Sequence, residues 1–130
     1  APHREASAKN GGRRILLVED EESVRRIAIT ALQQLGHEVV AADGFEAGLS
    51  RFTDDDGRFD LLFSDVVLPD GNGLELALKI RELAPDLPVI LASGYPGERS
   101  GEAAIRTHGF RFLQKPYAMK RLLAEVSASL

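Results

Sequence analysis

The stretch Phe59-Asp60-Leu61-Leu62-Phe63-Ser64-Asp65-Val66-Val67-Leu68-Pro69-Asp70-Gly71-Asn72-Gly73 decides the fold. Its first half is a short apolar run that stops at a carboxylate, Asp65. Pro69, Gly71 and Gly73 beyond it prevent the strand from continuing. An apolar run of this length reads as a strand buried on both faces, the kind from which parallel sheets are built. A carboxylate at the end of such a strand, on a loop, is placed to meet a ligand.

Working outward, Ile15-Leu16-Leu17-Val18 is a similar run that ends in Glu19-Asp20-Glu21-Glu22. Val24, Ile27, Ala28, Ala31, Leu32 and Leu35 then recur at helical spacing, with Gly36 as the stop. Val39-Val40-Ala41-Ala42 is a second strand. Asp43-Gly44-Phe45-Glu46 reads as a helix N-cap with an acid three residues on, and Phe45, Leu49 and Phe52 as the buried stripe that follows. Thr53-Asp54-Asp55-Asp56-Gly57 reads as a solvated turn. Registering Gly57 at the glycine of a calcium-binding loop would put Phe52 and Phe63 at ligand positions.

Past Asp65, a helix is expected from about Asn72 to Ala84, with Leu76, Ala77, Ile80, Leu83 and Ala84 facing inward. Val89-Ile90-Leu91-Ala92 is the fourth strand and ends at Ser93-Gly94-Tyr95-Pro96. A weak helix spans Glu98 to Thr107, interrupted by Gly101. Phe110-Arg111-Phe112-Leu113 is the fifth strand and ends at Gln114-Lys115-Pro116; Met119, Leu122, Leu123 and Val126 give the last helix its apolar face. Strand and helix alternate five times, which implies an α/β fold with a five-stranded parallel sheet and helices on both faces. In such sheets, ligands bind beyond the carboxyl ends of the strands.

The 130 residues suit one domain, with residues 1–13 as a flexible linker or tail and 14–130 as the folded unit. There is no cysteine, which excludes disulfides and thiolate chemistry. No apolar run approaches the ~18 residues of a membrane span, so a cytoplasmic module is expected. Residues 1–14 carry a net charge of +3, leaving −7 for the rest. An acidic body argues against nucleic acid as a direct partner, since phosphate backbones are bound by clustered Lys and Arg.

The groups that follow the strands are Glu19 and Asp20, Asp65, Ser93 and Lys115. Singly, each has a plain structural reading: Asp20 as a helix cap, Ser93 as a turn residue, Lys115-Pro116 as a helix entry. Together they make a pattern. Carboxylates brought to ~4 Å at an effective dielectric near 20 repel by roughly 4 kcal/mol per pair, so the cluster calls for a cation or for protons. Oxygen donors without histidine or cysteine suit Mg²⁺. A carboxylate nucleophile, a divalent metal, an ammonium and a hydroxyl compose a phosphoryl-transfer site.

Four segments carry a resemblance: Leu17-Val18-Glu19-Asp20-Glu21; Asp65 with Pro69 and Gly73; Leu91-Ala92-Ser93-Gly94; and Phe112-Leu113-Gln114-Lys115-Pro116. In this order and spacing, from Arg14 to Leu130, the sequence resembles the receiver domain of two-component response regulators. The resemblance implies sheet order 2-1-3-4-5 and a phosphoacceptor rather than an enzyme, charged at Asp65 by a histidine kinase or histidine phosphotransfer protein. It implies Mg²⁺ held by Glu19, Asp20, Asp65 and the carbonyl of Val67, with Lys115 and Ser93 on the phosphoryl oxygens and a cis bond at Lys115-Pro116. Phe112 stands at the switch-aromatic position. It would turn inward as Ser93 moves and so alter the surface of the fourth helix, fifth strand and fifth helix.

Two positions depart from the chemotaxis type, where polar side chains orient the hydrolytic water. Val67 and Tyr95 stand there instead, so slow self-dephosphorylation is expected. Gly71 is expected to make the loop after Asp65 more mobile. An aspartyl-phosphate hydrolase is disfavoured because it needs a second aspartate where Val67 stands. The polar start, the finish after the fifth helix and the phrases Ser93-Gly94-Tyr95 and Leu113-Gln114-Lys115-Pro116 suit the C-terminal receiver of a hybrid histidine kinase, with a stand-alone response regulator as the alternative.

Overall fold

The computed structural model describes residues 12–94 and 101–130. Five strands, β1 (Arg14–Val18), β2 (Glu38–Ala42), β3 (Leu61–Asp65), β4 (Val89–Ser93) and β5 (Arg111–Gln114), form one sheet in the order β2-β1-β3-β4-β5. Every neighbouring pair is parallel. The helices are α1 (Glu22–Gln34), α2 (Phe45–Asp54), α3 (Gly73–Leu83), α4 (Glu102–Thr107) and α5 (Met119–Ser129). Val67–Leu68 and Gly71–Asn72 form a separate antiparallel ribbon between β3 and α3. The Tyr95 position and the first residues of the weak helix lie outside the described residues, as does most of the expected tail.

The two-residue period of the buried strands divides the core into two layers. Leu16, Val18, Leu62, Leu91 and Phe112 pack with Phe45 and Phe52 of α2, Leu76 and Ile80 of α3 and Ile105 of α4. Ile15, Leu17, Leu61, Phe63, Ile90 and Leu113 pack on the opposite face with Ala28 and Leu32 of α1 and Leu122 and Val126 of α5. Parallel strands aligned with Val18 opposite Ser64, and Asp65 opposite Ala92, end at a common edge. Whatever follows each strand is therefore delivered to the same place.

Several local expectations change. Ile27 and Leu35 of the first helical stripe are exposed, as is Leu83 of the third. Seats on the sheet go instead to Ala28 and Leu32, flanked by Ile29, and to Leu76, Ala77 and Ile80. No side chain of the Asp43-Gly44-Phe45-Glu46 motif caps α2; Gly44 is the N-cap, and the carboxylate of Asp70 accepts from the N–H groups of Phe45 and Glu46. The aspartate run is not wholly a turn, since α2 continues through Asp54 and Asp55 forms an ion pair with Arg14. Gly71 sits in the ribbon against Phe45, where an added Cβ would come within 2.8 Å of the ring. The residue expected to loosen the loop is a tight packing point.

Candidate functional site

Glu19, Asp65 and Ser93 are buried at the carboxyl ends of β1, β3 and β4, although each is polar. Each is held there by the backbone pairing of an apolar strand. Lys115 follows β5, and its N–H donates to the Ser93 carbonyl at 2.8 Å, which zips the last two strand ends together. The Lys115-Pro116 bond is cis, as the resemblance implies. The lysine ammonium lies 3.0 Å from Glu19 Oε1 and 2.7 Å from Asp65 Oδ1. One cation thus bridges two buried carboxylates.

Asp20 completes the cluster from the exposed side. One oxygen from each of Glu19, Asp20 and Asp65 lies within 4.8 Å of the others, the sole such group of potential metal ligands among the described residues. Glu21, not Asp20, occupies the N-cap of α1, and its side chain makes no capping bond, so the helix-cap reading of Asp20 does not apply. Three carboxylates against one ammonium leave a net negative site, and its donors are all hard oxygens. That donor set fits a small divalent cation of the Mg²⁺ type that keeps part of its water shell.

Asp65, Asp20, Val67, Ser93, Gly94 and Lys115 line an open cleft of about 200 Å³. Burial pushes the Asp65 carboxyl above its ordinary pKa, and the hydrogen bond and charge of Lys115 partly oppose that rise. The Val67 side chain projects into solvent, 55% exposed. The chain turns sharply after Asp65: the Gly73 N–H donates to the Val66 carbonyl at 2.6 Å, and a Cβ on Gly73 would collide with the Asp65 carbonyl oxygen. Only glycine lets α3 start so close to the end of β3.

Phe112 is buried in the core layer, and the Arg106 guanidinium sits 5.9 Å from its ring centroid. The sequence reading missed two supporting residues. Arg25, one turn into α1, donates from Nη1 to the carbonyls of Glu19 at 2.8 Å and Asp20 at 3.4 Å, pinning the turn that presents both acids. Asp70 is the other. Arg25 lies six residues past Glu19, within reach of a helix folded back on its own strand, so the strand-to-helix junction was a usable signal. Asp70 contacts a helix twenty-five residues earlier, and nothing local announces that contact.

The sequence profile described as the response regulator receiver domain matches residues 15–127. The chain is 36% identical to the sensor kinase CckA of Brucella abortus over 96% of its own length, yet spans only 13% of that protein. It is 30% identical to the response regulator receiver protein CpdR of Brucella abortus, covering 91% of the chain and 97% of the relative. Among solved structures, it is similar to the receiver domain from the hybrid histidine kinase CckA, with a TM-score of 0.76, 37% identity and coverage of 90% of this chain and 98% of that one.

Proposed function

The chain belongs to the response regulator receiver domain family, and on that footing we propose that Asp65 is the phosphoacceptor of a Mg²⁺-dependent switch in a two-component relay. The observation that carries the reading is the Lys115 ammonium held 2.7 Å from Asp65 beside the carboxylates of Glu19 and Asp20. An Asp65 carboxylate oxygen attacks the phosphorus of a phosphohistidine donor. As the P–O bond forms, the P–N bond breaks, and the leaving imidazole takes up a proton. Lys115 neutralises charge on the phosphoryl oxygens, and Ser93, which lines the cleft, would swing its hydroxyl to donate to one of them. Mg²⁺, when bound by Glu19, Asp20, Asp65 and the Val67 carbonyl, would neutralise the remaining negative charge.

Phe112 is the side chain we assign to relaying the change, because β5 pairs directly with β4, the strand that ends in Ser93. It would act on the surface of α4, β5 and α5. The domain lies within residues 14–130, and its donor is a histidine kinase or histidine phosphotransfer protein. A hydrolase reading stays disfavoured, since Val67 stands where the second catalytic aspartate is needed. Similarity to the CckA receiver supports a piece of a hybrid histidine kinase; the near-complete coverage of CpdR supports a stand-alone regulator as the second reading. The reading frame surrounding this chain in its gene separates the two.

Incubation with acetyl phosphate and Mg²⁺, followed by intact mass, tests the acceptor. A phosphoryl adduct is expected in the parent and not in Asp65→Asn. An adduct that persists in Asp65→Asn, or no response to acetyl phosphate and beryllofluoride alike, would overturn the assignment in favour of another acceptor or of a docking module.

A further inference from the structure

The loop from β3 to α3 is tied at both ends by its own backbone. The Val66 N–H donates to the Ala92 carbonyl at 2.8 Å, and the Gly73 N–H returns to the Val66 carbonyl at 2.6 Å. Between these ties, the ribbon sets Val67 opposite Asn72 and Leu68 opposite Gly71. At its turn, Asp70 reaches out of the loop: Oδ1 accepts from the Phe45 N–H at 2.6 Å and Oδ2 from the Glu46 N–H at 3.1 Å. The first N–H groups of a helix have no partner within it, and Gly44 at the N-cap offers no side chain. Asp70 therefore satisfies α2, and α2 in turn holds the loop. A Cβ on Gly44 would come within 2.6 Å of Asp70 Oδ1, so the fit is close.

We propose that Asp70 is a positioning residue for the acceptor site: by capping α2 it fixes the loop that presents the Val67 carbonyl beside Asp65. The proposal rests on the reading of Asp65 and its neighbours as a Mg²⁺-dependent acceptor site. Asp70 itself touches neither the carboxylate cluster nor Lys115; its influence travels through the paired ribbon to Val67. Without that clamp, the ribbon keeps its end ties, its own pairing and the buried Leu68, but its turn loses the polar bond to α2. The carbonyl would then sample several positions, and binding a cation would have to select one of them.

The test is Mg²⁺ titration by calorimetry and amide chemical shifts, with thermal unfolding measured alongside. Asp70→Ala removes both acceptors and is expected to weaken Mg²⁺ binding roughly tenfold, the low end of the loss that follows removal of an outer partner from a metal site. Asp70→Asn keeps one acceptor and falls between Asp70→Ala and the parent. Gly44→Ala leaves the carboxylate in the chain but pushes it off the helix, so it should shift affinity in the same direction. If Asp70→Ala does not fold, Asp70→Asn and Gly44→Ala carry the test. Variants that unfold at lower temperature yet bind Mg²⁺ as the parent does would reduce Asp70 to a helix cap and overturn the proposal. A parent that neither binds Mg²⁺ nor accepts a phosphoryl group would overturn the site reading itself, and the role of Asp70 with it.

Discussion

At Asp65, reactivity and stability pull in opposite directions. A nucleophilic carboxylate is most useful when stripped of water, and burial does this while raising its pKa. A group whose pKa is raised by folding supports the fold most at low pH; that support is lost as pH rises through the folded value. At neutral pH, the parent therefore carries an unfavourable buried charge that Lys115 relieves only in part. Asp65→Asn removes the charge and keeps the shape. Its urea midpoint at pH 7 without Mg²⁺ is expected to exceed that of the parent, with the gap closing as pH falls below the ordinary carboxyl value of 3.8. A lower midpoint at pH 7 would count against a strained site. Val67 raises a second question at this scale. Its apolar side chain, exposed beside the cleft, has no group to hold an attacking water. Val67→Asn supplies one, and a single added transition-state hydrogen bond of about 1.4 kcal/mol would shorten the phospho-form half-life roughly tenfold. A half-life unchanged in a phosphate-release time course would remove the Val67 side chain as a determinant of the phospho-form lifetime.

Among the elements, α1 shows how far apolar spacing can be trusted. Its stripe fits several helical registers, and the sheet selects the one with Ala28 and Leu32 underneath. Leu32→Ala should cost about 2–5 kcal/mol in chemical denaturation, as for other fully buried leucines. Ile27→Ala, at a side chain 58% exposed, should stay within about 0.5 kcal/mol. Equal losses would mean that the helix is seated differently. The same contrast explains what could be read in advance. Strands announce themselves by apolar runs, and their ends by Glu19, Asp65, Ser93 and Lys115, because parallel pairing leaves no choice about where those ends meet. The strand order along the chain, the parallel sheet and the meeting of the strand-end groups were legible for that reason. Helix rotation at Ile27 and Leu83 was not, since it depends on which neighbour fills each groove. Nor was the role of Asp70 legible: its partners are backbone N–H groups of a helix some twenty-five residues earlier, and backbone carries no sequence signature, whereas Arg25 lies close enough to Glu19 for the strand-to-helix junction to signal it.

Taken whole, the molecule has its clustered carboxylates Glu19, Asp20 and Asp65 at one end of the sheet and a second polar cluster at the other. There the Arg14 N–H donates to Asp60 Oδ2 at 2.8 Å, and its guanidinium pairs with Glu38 and Asp55 and lies 4.5 Å over the Phe59 ring centroid. One residue earlier, the Arg13 N–H donates to His37 Nδ1 at 3.0 Å, which requires that nitrogen to be unprotonated. Burial lowers the His37 pKa, the Arg13 charge lowers it further, and Asp60 opposes them. A histidine depressed in this way contributes stability that is complete above its unfolded value of about 6.5 and is lost as pH falls through the lower folded value. The sign is opposite to that at Asp65. β1 sits between β2 and β3, so loosening its entry weakens two strand pairings at once. The melting temperature of the parent is therefore expected to decline between pH 7 and pH 5 through His37, with the raised Asp65 carboxyl contributing in the opposite sense to parent and variant alike. His37→Gln offers an acceptor that does not titrate across that range, and its decline should be shallower. Parallel declines in the two proteins would place the acid sensitivity elsewhere and leave His37 as a spectator of the sheet's floor.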